Sequence, residues 1–193
     1  MAFIPLIGTG DGTFQVPQMD AITRALTTIS YAHHEIHGGS GFSLAQSTAE
    51  DALDIAAPLT VWIITPNTTK WAHMTWELSV ATMALFEIFE DNGNAAHFDI
   101  SGGSAGSALN ANRNSTKSSG LTLATGVTIT AATADVLIYS TYLGGFKQAG
   151  TSSKRHEVIL KQNTEYLFKL TSIADNNEGS LVLDWYEHTN KTP

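Results

Sequence analysis

The densest run of chemically able side chains is His33-His34-Glu35-Ile36-His37. A zinc-dependent hydrolase motif needs two histidines four apart on a helix, with a glutamate directly after the first. His33 and His37 have that spacing, but His34 stands where the glutamate belongs. Read as a strand, the run puts His33, Glu35 and His37 on one face. A metal would then need further ligands from His73, His97, His156 or His188. The plainer reading is a histidine-rich strand edge or subunit contact, and no metal or other cofactor is expected. Nucleophilic chemistry has a weaker basis. Gly102, Ser104 and Gly106 match Gly-x-Ser-x-Gly, but a nucleophile elbow joins a core strand to a helix, and Ser101 to Ser107 reads as a Ser/Gly loop. Gly8-Thr9-Gly10-Asp11-Gly12 and Gly38-Gly39-Ser40-Gly41 lack the Gly-Lys-Ser/Thr of a phosphate loop. Glu87 and Glu90 are three apart in an apolar run, so a strand points them to opposite sides. No catalytic residue is expected.

Trp62, Trp76 and Trp185 lie in strongly apolar runs and read as core, whereas Trp71 follows a turn and is a candidate ligand or interface residue. Asn110 to Ser115 reads as a polar loop, either solvated or ordered by Asn side chains bonding the backbone with Arg113 bonded to a carboxylate, and Arg113 is a candidate interface residue.

The elements that would position these residues are mostly strands. Leu59 to Thr65 is rich in branched and aromatic side chains, and Pro66-Asn67-Thr68-Thr69 closes it with turn chemistry. In Lys70 to Ser79 the residues Ala72, Met74, Trp76 and Leu78 point one way, and Trp71, His73, Thr75 and Glu77 the other. These two runs are expected to form an antiparallel hairpin. Further strands are expected at 83–90, 136–142, 157–160, 165–171 and 181–188, with no helix after residue 58. The expected fold is all-β, an antiparallel sandwich of jelly-roll type over residues 31–193. Residues 1–30 read as an arm, extended or partly helical between Gln18 and Ser30. Its Phe3, Ile4, Leu6, Ile7 and Phe14 are suited to lie on another subunit.

The bulk numbers narrow the partners. The chain has 193 residues and no cysteine, so disulfide frameworks and thiol chemistry are excluded. Its 10 Lys+Arg against 18 Asp+Glu give a net charge of −8, and no basic run of five occurs. Nucleic acid is therefore not an expected partner. No apolar stretch approaches the ~20 residues of a membrane span, and no positive n-region precedes Phe3-Ile4, so neither a membrane nor a signal peptide is expected.

Four segments, in this order, together resemble a family of tailed-bacteriophage virion proteins. They are His33 to Gly39, Thr65 to Met74, Asn112 to Ser115, and Asp184 to Asn190. Members of that family look like head decoration, or cement, proteins. The resemblance implies a non-enzymatic chain, made in the host cytoplasm and held on the capsid surface by contacts with the major capsid protein. By analogy with such proteins, it also implies a homotrimer. No catalytic residue is carried over from it. The alternative expectation is a tail or head-fibre protein that binds a host surface glycan.

Overall fold

A computed structural model of the chain describes residues 7–8, 14–15, 31–91, 98, 100–129, 136–145, 149–153, 157–173 and 176–189. Two two-residue strands, β1 (Ile7–Gly8) and β2 (Phe14–Gln15), pair with each other in the arm. Phe3, Ile4, Leu6 and the Gln18–Ser30 helix lie outside the described residues. Then follow helix α1 (Tyr31–His37) and strands β3 (Gly41–Ser47), β4 (Leu59–Ile64), β5 (Lys70–Val80), β6 (Ala84–Glu90) and β7 (Ile100–Ala105). After these come β8 (Leu109–Asn110), β9 (Thr122–Ile129), β10 (Val136–Leu143), β11 (Gly150–Ser153), β12 (Val158–Ile159), β13 (Glu165–Ser172) and β14 (Gly179–Thr189).

The strands form two antiparallel sheets. The first runs β10-β6-β13-β4-β9-β7, and the second β11-β5-β14-β3-β8, with β12 also on β5. Along the chain β3, β5, β11 and β14 fall in the second sheet, and β4, β6, β10 and β13 in the first. Their neighbour orders, β3-β14-β5-β11 and β4-β13-β6-β10, are those of a jelly roll. Strands β7, β8 and β9 are inserted between β6 and β10 and widen both sheets.

Alternation in β5 is as expected: Ala72, Met74, Trp76, Leu78 and Val80 are buried. They meet Phe86, Ile88, Phe168 and Leu170 from the facing sheet in one core, with Trp76 edge-on to Phe168 at 6.1 Å between ring centroids. Two expectations about this region are corrected. The runs at β4 and β5 are not a hairpin, because β4 pairs with β13 and β9 while β5 pairs with β14, β11 and β12. Residues 65–69 carry the chain from one sheet to the other, and Thr65 anchors the crossing by donating to Lys161 O at 2.6 Å. Trp62 is not in the inter-sheet core. It lies half-buried on the outer face of the first sheet with Phe89 and Ile100, in a small cluster around Phe98, Val127 and Leu167, and donates to Glu165 Oε2 at 3.0 Å.

The Ser101–Ser107 loop reading is also corrected: residues 100–105 are the strand β7, paired with β9. Gly103, at φ +81°, lies so close to Thr125 O and Val127 that a side chain would clash.

Candidate functional site

Strands β5 and β14 are neighbours, with His73 opposite Tyr186 and Trp71 opposite His188. All four side chains therefore stand on the outer face of the second sheet. On the far side of β5, β12 brings Glu157 to the same place by pairing Val158 with Met74. The side chains join into one polar run. His188 Nδ1 is 2.9 Å from Thr189 O, and His188 Nε2 is 2.7 Å from His73 Nε2. His73 Nδ1 is 3.0 Å from Glu157 Oε1. Tyr186 donates its hydroxyl proton to Glu157 Oε2 at 2.7 Å, and its ring stacks on His73 with centroids 4.7 Å apart.

The Tyr186 hydroxyl also lies 3.1 Å from His73 Nδ1, so it touches both the imidazole and the Glu157 carboxylate. Every nitrogen of the two rings is engaged, so the run works as a clamp tying β12, β5 and β14 together.

Burial by itself would raise the Glu157 carboxyl, but the Tyr186 hydroxyl bond, the His73 bond and the two nearby imidazoles outweigh it and hold the group below its usual value of 4.5. The unfolded chain thus binds this proton more readily than the folded one. The stabilisation is present above that ordinary value and is lost as pH falls through the lower folded value. Glu157→Gln is expected to flatten this part of the acid limb. Its unfolding free energy should fall less than the wild type's between about pH 5 and 3. Identical slopes in urea melts across that range would show that Glu157 carries none of it.

A cleft of about 340 Å³ opens beside this run, beneath α1. Ala32 and Ile36 overhang it, and Thr75, Glu157, Asp184 and Tyr186 line it. Two carboxylates and an aromatic hydroxyl suit a neutral polyhydroxylated or cationic ligand better than an anion.

The sequence candidates fall elsewhere. The His33–His37 segment is the helix α1, not a strand. It ends in a Schellman motif, with Ser40 N bonded to Glu35 O and Gly39 N to Ile36 O, and with Gly39 at φ +75°. The helix separates Glu35 from the two outer histidines, and Glu35 instead meets His34 at 3.5 Å. Among the described residues no group of three or more His, Asp or Glu side chains is placed to hold a metal ion, and no helix is long and apolar enough to cross a membrane. Trp71 is half-buried across from His188.

Of the two readings of the loop that starts at Asn110, the structure shows the one in which Asn side chains bond the backbone. Asn110 Nδ2 donates to Gly39 O and Lys117 O, Asn112 Nδ2 donates to His37 O, and Lys117 Nζ donates to Gly38 O. Arg113 is exposed on this loop, and no bond to a carboxylate holds it among the described residues. Glu90 points inward to the Tyr166 hydroxyl at 2.9 Å and pairs with Lys161, whereas Glu87 faces out opposite Lys169.

The Glu157–His73–Tyr186–His188 run was not anticipated. Its only sequence signal is that His73 and His188 occupy outward positions of two strands. No family model, no curated protein and no solved structure matches the chain.

Proposed function

We propose that this chain is a decoration protein that binds the outer surface of a tailed-phage head and stabilises its lattice by contacts with the major capsid protein. The observation that carries the reading is strand β10. It closes one end of the first sheet and, among the described residues, pairs on one side only, with β6. Val136, Leu137, Ile138 and Tyr142 are 48, 49, 40 and 63% exposed, and residues 136–143 contain no charge and no proline. Monomeric proteins protect such edges with lysine, proline or a covering element. An apolar, uncharged edge is suited to taking another protein's strand or side chains. The four segments that resemble virion proteins support the same reading. The jelly roll is an architecture found in viral capsid and lectin domains alike, and it is compatible with this reading.

Cosedimentation of the purified protein with heads that lack it tests the reading. The wild type is expected to saturate the heads. A Leu137→Lys/Tyr142→Lys chain should bind at least about tenfold more weakly, since two partly exposed apolar side chains lose their burial. Equal occupancy by both chains, or none by the wild type, would sink the proposal. Binding of a host glycan is the second reading, favoured by the cleft beneath α1 with its carboxylates and Tyr186. Saturable binding on a glycan array without head binding would select it.

A further inference from the structure

Helix α1 carries two rows of side chains. Ala32 and Ile36 overhang the cleft, and His33 and His37 form an exposed row beside them. One helical turn brings the two imidazoles together with their centroids 4.6 Å apart and their planes at 73°. Their Nε2 atoms face each other at 2.9 Å. One nitrogen donates to the other in that contact, so a metal ion that displaces this one proton can take both nitrogens as ligands.

We propose that His33 and His37 form a two-ligand site for a divalent transition-metal ion, Cu²⁺ or Ni²⁺ in preference to Zn²⁺, with its remaining positions open to water. The spacing carries the choice of ion. An imidazole nitrogen sits ~2.0–2.1 Å from a bound ion, so two nitrogens 2.9 Å apart subtend about 90° at it. That is the angle between neighbouring ligands in square-planar or octahedral sites, which Cu²⁺ and Ni²⁺ favour. Tetrahedral Zn²⁺ would need the nitrogens roughly 3.3 Å apart. The helix end is fixed for the task. The Schellman motif at Gly39 closes it, and Asn112 Nδ2 bonds the His37 carbonyl at 2.9 Å, so the backbone of the second ligand is held from the 110–117 loop. With only two protein ligands the ion keeps open positions on its outer side, which a neighbouring protein could fill. This inference does not depend on the capsid reading.

Isothermal titration of the full, untagged chain with Cu²⁺, alongside the electron paramagnetic resonance spectrum of the bound ion, tests the proposal. One ion per chain is expected, with two nitrogen ligands in the spectrum. His33→Ala and His37→Ala should each weaken binding at least tenfold, and His34→Ala should leave it unchanged. Because the two side chains are exposed, circular dichroism should report all three variants as folded. The proposal is overturned if the wild type shows no saturable Cu²⁺ binding, if the spectrum shows fewer than two nitrogens, or if His33→Ala and His37→Ala bind like the wild type.

Discussion

Glu187→Ala is expected to lower the unfolding free energy by about 2–4 kcal/mol, whereas Glu187→Gln should stay within about 1 kcal/mol of the wild type. Glu187 is 5% exposed and stands on the inner face of β14, at the end of the sandwich where the 111–121 loop returns to the core. Its Oε1 accepts from Ser119 Oγ at 2.6 Å, Gly120 N at 3.0 Å and Trp185 Nε1 at 3.2 Å. All three donors are neutral. Alanine leaves the buried Trp185 Nε1 orphaned at about 1–3 kcal/mol, and takes from half-buried Ser119 and exposed Gly120 bonds that water replaces only in part. A glutamine oxygen at the Oε1 position can accept all three; its NH2 forfeits only the second half of the Gly120 N–H bond, which Oε2 also accepts at 3.0 Å in the wild type. Urea unfolding followed by tryptophan fluorescence separates the two variants. Equal losses in both would mean that the negative charge, not the acceptor, holds the loop.

The carboxylate in that test sits in the segment Asp184 to Thr189, whose strand character was readable, yet its role was not. Strands β4, β5, β6, β10, β13 and β14 announce themselves by β-branched and aromatic residues, and the inward rows of β5 follow from alternation alone. Strand β3 is Gly41-Phe42-Ser43-Leu44-Ala45-Gln46-Ser47, with only Phe42 and Leu44 to mark a buried face. Strand β7 is Ile100-Ser101-Gly102-Gly103-Ser104-Ala105, which composition assigns to a loop because an exposed edge asks little of its side chains.

The hairpin error has a different cause. Turn chemistry at 66–69 is the same whether the next strand pairs with the last one or crosses to the other sheet. The decision belongs to partners about a hundred residues away, such as Leu167 opposite Trp62. The polar run around His73 is hidden for the same reason. It needs β14 on one side of β5 and β12 on the other, and nothing local to His73 encodes either pairing. The short helix at His33 has seven residues, fewer than two turns, so periodicity could not separate it from a strand. The local feature that separates the two is Gly38-Gly39, whose second glycine takes the positive φ that ends the helix.

The other large loss is expected at Asn177→Ala, again about 2–4 kcal/mol, because two acceptor and two donor bonds go at once. Asn177 is fully buried. Its Oδ1 accepts from Thr82 N at 2.8 Å and from Glu178 N at 2.9 Å. Its Nδ2 donates to Ser172 Oγ at 3.0 Å and to Met83 O at 3.4 Å, and its backbone pairs with Leu53. The side-chain amide thus joins the β5–β6 turn to the end of β13, while the backbone of the same residue holds the β3–β4 connection. Asn177→Asp separates the parts of this role. Aspartate keeps both acceptor bonds but turns a charged oxygen toward the Met83 carbonyl in a site closed to water. Burial raises such a carboxyl above its unfolded value, so the penalty should be small below about pH 4 and should grow as pH rises through the folded value. If Asn177→Asp were as stable as the wild type at pH 7, the donor half of the amide would be dispensable. Asn177 bonds to neither α1 nor β10, so chains that remain folded should keep the head binding proposed for the β10 edge. A variant that loses stability and binding together, while folded, would place the binding surface at this end of the sandwich instead.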